Sequence, residues 1–282
     1  MQRFLLTVLI FLSLNSSAVT DFGVRARSMA GAYRAVANSN NIIPYNPSGL
    51  LKIRRIEIDA DFQINQAENY RRIMASAMDS KLSSWGLGLM YIGDIPDANQ
   101  YPMKHRGFLT SSMPILSDLL ALGASWTYFY DPDKNIDDHE HFFNLDAGLL
   151  LNTYQGLSLA LVLDHLLPKK GREKGMGLSM GMAFDFSPLV HILPLTLATD
   201  WIVDNITSDE KLNHTLAVGL EYIALNLIPF RIGISSDFLK DEKVFSIGSG
   251  LIIKSFSLDG LFVQNLSVGK NREWGIAARF SF

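Results

Sequence analysis

The densest group of side chains that could do chemistry is the run Asp137-Asp138-His139-Glu140-His141. Carboxylates and imidazoles bind metals, but two histidines at i and i+2 need a further ligand from elsewhere in the chain. The run lies between two segments of predicted strand, where a solvated acidic loop explains it better than a metal site. We therefore predict no metal site and no cofactor.

Other motifs that carry chemistry are few. The sequence has no nucleophile elbow, phosphate-binding loop or paired-histidine zinc motif, and it has no cysteine. Asn205-Ile206-Thr207 and Asn213-His214-Thr215 match a glycosylation pattern that a bacterial envelope protein would not normally use. The net charge of −3 provides no basic surface for nucleic acid. The sequence thus predicts a protein that is not an enzyme and does not bind nucleic acid.

The elements that hold these residues show a strict period of two. From residue 56 to residue 65 apolar and polar residues alternate without exception, and about fourteen such segments follow one another up to residue 282. A soluble sandwich also alternates, but its outer polar face carries many Lys and Glu. Here the polar face is mostly Gly, Ser and Ala with scattered acids, which is typical of the interior of a barrel.

We therefore predict an all-β protein, a transmembrane antiparallel β-barrel of about 14 strands over residues 54–282. Links after odd-numbered strands are predicted to be longer and charged, for example 131–141, and those after even-numbered strands to be short. Barrels of the outer membrane show this asymmetry, with short periplasmic turns and long external loops.

Both termini fit an exported membrane protein. Arg3, the apolar run from Phe4 to Leu14 and small residues up to Ala18 predict a signal peptide over residues 1–18. At the other end, aromatic residues alternate with small ones up to the last residue, and Phe280 and Phe282 resemble the C-terminal assembly signal of outer-membrane barrels. We predict the outer-membrane lipids and the barrel assembly machinery as partners.

The stretch from Phe22 to Leu51 has no period of two. Its segments Ala26-Arg27-Ser28-Met29-Ala30-Gly31-Ala32-Tyr33 and Tyr45-Asn46-Pro47-Ser48-Gly49-Leu50 resemble the N-terminal signature of the FadL-type outer-membrane transporters and their PorV-like relatives. Family members usually have glycine where Ala30 stands and alanine where Ser48 stands. The resemblance implies a fourteen-stranded barrel whose N-terminal residues, 19–53 here, fold inside the lumen as a hatch.

Charged residues suggest how such a hatch would be held. The predicted inner face carries acids and arginines, and isolated buried charge is costly, so each must find a partner. The hatch offers Arg25, Arg27 and Arg34, and its turn Asn46-Pro47-Ser48-Gly49 is either a gating element or simply a tight turn before the first strand. The inner-face residues considered as partners of the hatch or as a polar route for a solute are Asp59, Asp61, Asp146, Asp164, Asp185, Asp200, Glu221, Asp259, Arg231 and Arg279.

Two functions remain open at this point. The resemblance implies passive uptake of a hydrophobic, fatty-acid-like small molecule, with the hatch as gate. The alternative is a PorV-like structural or secretion-accessory barrel that presents its rim to partner proteins.

Overall fold

The computed structural model describes residues 22–66, 69–96, 103–132, 139–167, 175–190, 193–207, 211–267 and 271–282. The predicted signal peptide lies outside these residues. Within the described ranges, no helix has the length and apolar character needed to cross a membrane.

The chain forms fourteen strands. They are β1 (Ile56–Asn65), β2 (Tyr70–Asp79), β3 (Gly86–Pro96), β4 (Lys104–Leu116), β5 (Leu120–Pro132), β6 (His139–Asn152), β7 (Leu157–Asp164), β8 (Gly177–Asp185), β9 (Leu195–Asp204), β10 (Asn213–Ala224), β11 (Ile228–Asp237), β12 (Glu242–Ile253), β13 (Phe256–Asn265) and β14 (Arg272–Ser281). Each strand pairs with its neighbours in sequence, and β14 pairs antiparallel with β1. The amides of Ile56 and Phe282 each donate to the other's carbonyl oxygen, at 3.3 and 2.9 Å. The prediction of a closed barrel of about fourteen antiparallel strands is confirmed.

The two faces of the barrel are reversed relative to a soluble protein. Along β1 the polar residues are buried and Ile58, Phe62 and Ile64 are exposed. The apolar residues predicted to face outward are exposed or half-buried: Trp85, Leu87, Leu89, Trp126, Tyr128, Leu159, Leu161, Met180, Phe184, Trp274 and Phe280. The side chains therefore do not form a common sandwich core, and a continuous apolar surface faces outward.

The N-terminal segment, residues 22–53, is almost completely buried. It forms one short helix, α1 (Val24–Ser28), and two 3₁₀ helices, η1 (Asn40–Ile42) and η2 (Pro47–Leu51). Polar side chains cap both 3₁₀ helices: Ser39 accepts from the amide of Asn41, and Asn46 accepts from the amide of Ser48. These local bonds fix a compact, irregular path where no sheet or long helix supplies backbone partners.

The links differ from the sequence prediction. Cross-strand pairing continues past the apolar alternation, so β5 extends to Pro132 and β6 begins at His139. His139, Glu140 and His141 thus belong to a strand and not to a loop, and Asp137 and Asp138 lie outside the described residues. The alternation of link length is also weaker than predicted, since the links after β1 and β11 have four residues while the link after β8 has nine.

Candidate functional site

The inner wall and the N-terminal segment touch backbone to backbone. A Cβ atom on Gly233 would lie 2.3 Å from the carbonyl carbon of Met29, and one on Gly123 would lie 2.3 Å from that of Pro47. Gly181 would meet the Cβ of Arg34 at 2.9 Å. Real Cβ atoms do not approach so closely, so at these wall positions glycine is required by the segment that packs on them.

A chain of ion pairs joins the segment to β10, β11, β13 and β14. Arg25 donates from Nη2 to Oε1 of Glu221 at 2.7 Å, and Glu221 also accepts from Nε of Arg231 at 2.5 Å. Arg231 continues to Asp259 at 2.6 Å, and Asp259 accepts from Arg279 at 2.7 Å. Burial has the largest single effect and lowers the pKa of Arg25, but the charge and hydrogen bonds of Glu221, together with Tyr33 and Asp259, raise the pKa above its usual value.

A second anchor is Asp200 on β9. Its Oδ2 accepts from the backbone amides of Tyr33 and Arg34, at 3.0 and 2.9 Å, and from Nη1 of Arg34 at 3.4 Å. Arg27 makes a separate ion pair, at 3.1 Å, with Glu273 at the start of β14. Each arginine of the segment that the sequence singled out therefore contacts a wall carboxylate.

The acids of β1 bind the segment through its polar groups. Asp61 Oδ2 accepts from the amide of Val24 at 2.8 Å, and Asp59 Oδ2 accepts from Nδ2 of Asn41 at 3.1 Å. Arg279 lies 3.6 Å from Asp59, which links these acids to the chain of ion pairs. Buried carboxylates are stabilised by such donors and by nearby cations.

The turn at residues 46–49 packs on the opposite side of the lumen. Asn46 accepts from the hydroxyl of Ser48 at 2.6 Å and donates from Nδ2 to the carbonyl oxygen of Arg34 at 2.9 Å. The carbonyl oxygen of Ser48 accepts from Oγ of Ser112 on β4 at 3.1 Å. Pro47 and Gly49 complete the turn, and Gly49 leaves no room for a Cβ beside Ile42.

Asp146 and Asp185 are placed differently from the other predicted inner-face residues. Asp146 accepts from Nδ2 of Asn144 at 2.9 Å and from the amide of His165 at 2.8 Å. Asp185 accepts from the amide and the hydroxyl of Ser187. These bonds organise the ends of β7 and β8, and the charge of Asp185 also acts on Lys52 of the N-terminal segment.

Sequence reasoning missed two acids that contact the segment. Glu57 accepts from the amide of Asn40 at 2.7 Å, and Glu273 pairs with Arg27. Glu57 lies on the polar face of the first alternating segment, and Glu273 lies one residue before the last apolar alternation begins at Trp274. The partners lie 17 and 246 residues apart, so local spacing carries no signal for the second pair.

Aromatic residues surround the N-terminal end of the segment. The guanidinium carbons of Arg72 and Arg106 each lie 5.0 Å from the ring centroid of Phe22. Phe108 meets the same ring edge-on at 6.3 Å. Phe22 is therefore held by cation–π and aromatic contacts at the end of the barrel where the odd-numbered links lie.

The described wall beside this site is continuous. β3 pairs with β2 and β4 in unbroken register, and the shift found in β4 lies at Pro114–Leu116 on its pairing with β5. The described strands thus form a closed cylinder, and the segment contacts its inner face.

No family model and no curated protein match this sequence. Among solved structures, the barrel is similar to the P. putida toluene transporter TodX, with a TM-score of 0.59 and 12% identity over 92% of this chain and 96% of that one. A TodX deltaS2S3 mutant, a monoaromatic hydrocarbon channel, gives a TM-score of 0.61 and 12% identity over 92% and 98% of the two chains. The KdgM porin aligns with a TM-score of 0.45 and 7% identity over 80% and 99%. The likeness to TodX shows a shared barrel fold.

Proposed function

We propose that this chain is a bacterial outer-membrane channel for passive uptake of hydrophobic small molecules, and that residues 19–53 are its hatch. The exposed apolar outer face and the barrel fold shared with a hydrocarbon-transporting channel support this location and class. No residue is assigned a catalytic role.

The observation that carries the proposal is the contact between the N-terminal segment and the inner wall. Barrels of eight strands are filled by their own side chains, and wider ones enclose an open lumen unless something occupies it. Here the occupant touches wall glycines and is held by buried arginine–carboxylate pairs. A solute can cross only if this segment moves.

The proposal divides the site residues into three groups. Arg25, Arg27 and Arg34 hold the hatch to the wall, and the turn Asn46-Pro47-Ser48-Gly49 anchors its other end. The wall partners are Asp59, Asp61, Glu221 and Arg279. Asp146 and Asp185 are proposed as polar lumen residues apart from the hatch contacts.

The entrance we propose is the aromatic site around Phe22. A hydrophobic ligand that enters from this end meets Phe22, Phe108 and the stacked rings of Phe129 and Phe142, whose centroids are 4.3 Å apart. Ligand contact with Phe108 replaces the contact with Phe22, so binding and release of the hatch end are coupled.

Ion conductance in planar bilayers tests the hatch. We expect the intact protein to be nearly silent and a variant that lacks residues 21–41 to conduct, because the deletion removes α1, η1 and all three arginines. Equal conductance of both forms would place the segment outside the conducting path.

A covalent lock tests the same idea in a full-length chain. Asn40 donates from Nδ2 to Oγ of Ser76 at 2.7 Å, so Asn40→Cys with Ser76→Cys brings two thiols together in a chain that has no cysteine. After cross-linking with a short bis-alkylating reagent, uptake of toluene and of oleate into proteoliposomes should stop, and each single cysteine variant should transport normally. Undiminished uptake by the locked form would contradict the gate.

The accessory-barrel alternative is favoured by one observation. Three turns at the end of the barrel opposite the aromatic site present large apolar tips: Leu82, Tyr154 and Leu225 are 77%, 86% and 88% exposed. These tips all lie at one rim, where a partner protein would contact them. If neither toluene nor oleate is taken up, and replacing these tips with serine releases a stoichiometric partner from the purified protein, the accessory role is the better conclusion.

We also propose that Phe280 and Phe282 form the signal read by the barrel assembly machinery. Both rings are exposed on the outer face, so removing Phe282 costs the folded barrel little burial, about 2 kcal/mol at most. Deletion of Phe282 should therefore lower the amount of barrel in the outer membrane far more than it lowers the thermal stability of refolded protein. Normal surface levels would count against the signal.

A further inference from the structure

The outer face of the barrel has a groove of about 760 Å³ across β1 to β6. Its floor is made of small residues, Ala60, Ala75, Ala77 and Gly107, and large side chains such as Leu89 and Trp126 stand beside it. The volume is in the range of small-molecule sites.

The deepest point of the groove is at Gly107 on β4. No atom lies within 4 Å of a Cβ placed there, which sets this glycine apart from those of the inner wall. Tyr91 on β3 and Tyr128 on β5 are its direct partners in register, and both tyrosines line the groove. The missing side chain of Gly107 thus leaves an open slot between the rings of Tyr91 and Tyr128.

One end of the slot carries a polar cluster. His105 lies two residues before Gly107 on the same face, and it pairs in register with Tyr130, which pairs with His141. The imidazole centroids lie 5.5 and 5.0 Å from the ring of Tyr130. Together they form a row of three polar rings across β4, β5 and β6.

Hydrogen bonds fix the two tyrosine walls to this row. The hydroxyl of Tyr91 bonds to Nδ1 of His105 at 2.7 Å, and that of Tyr128 bonds to Nδ1 of His141 at 2.6 Å. When the tyrosine donates, Nε2 of each neutral imidazole carries the proton and is itself a donor. Arg71, exposed on the same face of β2 nearer that end, adds positive charge.

We propose that this groove binds one phosphate-bearing lipid of the surrounding membrane, with an acyl chain along Gly107 and the phosphate at His105 and His141. The proposal rests on the membrane location proposed above. An apolar slot that ends in imidazole donors matches an amphiphile with an anionic head, and the hydrogen-bonded tyrosines are already ordered, so binding costs little side-chain entropy. A zwitterionic head carries the same phosphate beside a cation, and the positive charge of Arg71 disfavours that cation.

Lipid retention tests the site. Detergent-purified, delipidated protein is titrated with phosphatidylglycerol or with phosphatidylcholine of identical chains, and bound lipid is counted by native mass spectrometry. We expect one phosphatidylglycerol per barrel, retained with about tenfold preference over phosphatidylcholine, because Arg71 repels the choline cation and one such charge contact changes an equilibrium by about that factor. Equal retention of both lipids would overturn the assignment of the head site.

Matched variants locate the lipid on the barrel. Gly107→Leu fills the slot without strain, and we expect retention to fall about tenfold, whereas Gly260→Leu, at an outward position on β13 with only ordinary contacts, should leave retention unchanged. His105→Phe removes a donor to the phosphate that both lipids carry, so it should lower the retention of both, whereas His214→Phe, at another outward histidine that stacks on Trp201, should not.

Two further readouts keep the test decisive. The mobility of unheated samples in gel electrophoresis shows whether each variant is a folded barrel. If Gly107→Leu does not fold, His105→Phe tests the site in its place. Unchanged lipid retention in folded Gly107→Leu would show that the lipid binds elsewhere. The assay counts bound lipid and not transported solute. A negative result would therefore contradict the lipid site only, and the channel proposal would still be tested by the conductance and uptake measurements.

Discussion

The two halves of the inner wall hold the N-terminal segment by different forces. On β9 to β14 and β1, carboxylates and arginines form buried ion pairs with the part of the segment around α1. On β2 to β6, the wall presents Met78, Met90 and Leu150, which form an apolar cluster with Ile43 and Leu50 near η2. The segment is thus held mainly by ion pairs on one side of the lumen, the ionic half, and mainly by apolar packing on the other side, the apolar half.

This difference predicts two kinds of sensitivity. Removing one member of a buried ion pair leaves a charge without compensation, so the ionic half depends on the identity of single residues. The apolar half depends on volume, because its contacts are close-packed and without direction. Four substitutions, in order of decreasing expected effect, test the contrast.

Glu221→Ala should have the largest effect. It leaves Arg25 and Arg231 buried without their shared carboxylate, and we expect a loss of about 3–5 kcal/mol in the free energy that holds the segment. Hydrogen exchange of the amides of residues 24–34 measures this loss. Asp146→Ala is the control, since Asp146 bonds to Asn144 and to the amide of His165, and equal effects of the two variants would remove the distinction between the halves.

Gly123→Leu tests the apolar half by volume. Its Cβ would lie 2.3 Å from the backbone of Ser48, so η2 must shift, and we expect a cost of up to about 3 kcal/mol, confined to exchange of residues 46–52. Gly260→Leu on the outer face should cost little. If Gly123→Leu loosens α1 as much as η2, the two halves act as one rigid unit.

Lys52 makes the boundary between the halves sensitive to pH. Burial lowers its pKa to about 8, while its Nζ donates to the carbonyl oxygen of Ala35 at 2.7 Å. Because the folded pKa lies below the unfolded one, the cost of burying the charge is fully present below pH 8 and disappears as pH rises towards 10.5. The segment should therefore gain about 2 kcal/mol between pH 7 and pH 9.5.

The control for this pH effect is Lys52→Met, which removes the titrating group and keeps the aliphatic stem. The variant should hold the segment equally well at both pH values, as measured by the urea concentration that releases it. A pH dependence that survives in Lys52→Met would assign the effect to another group.

Ala30→Gly should have the smallest effect. Ala30 has a φ of 53°, in the left-handed region that glycine adopts without a Cβ penalty. Relief of this strain is partly offset by the greater freedom of glycine in the unfolded chain, so we expect a gain of about 0.5 kcal/mol. Ala32→Gly, at a buried position without positive φ, should destabilise the segment, and stabilisation by both would contradict the strain argument.

The strands were predictable because alternation is a local pattern with a single physical cause. In β1 and β14 each residue faces either the outer surface or the lumen, so the pleat alone fixes the assignment. The alternation is weaker in β2, where Met74 and Met78 are apolar on the inner face as well, because they contact the segment and not water. The inward apolar residues that contact the segment therefore weaken the alternation of apolar and polar residues in β2.

The path of the N-terminal segment could not be predicted in the same way. Its arginines and the wall acids were visible, but the pairing of Arg25 with Glu221 spans 196 residues and has no local signature. Glycines on the polar face predict the interior of a barrel, but the sequence does not show that Gly123, Gly181 and Gly233 make room for the segment that packs on them. Small residues on the inner face of a barrel can therefore indicate a segment packed inside the lumen as well as a narrow lumen.

The pairing of β1 with β14 has a consequence for the order of folding. These strands are the most distant in sequence, so closing them costs the most chain entropy, and we expect their seam to be the last to form. Residues 22–53 immediately precede β1 and are enclosed on all sides once that seam is complete. A finished cylinder offers them no side entrance, so we expect the segment to be captured while the sheet is still an open, curling ribbon.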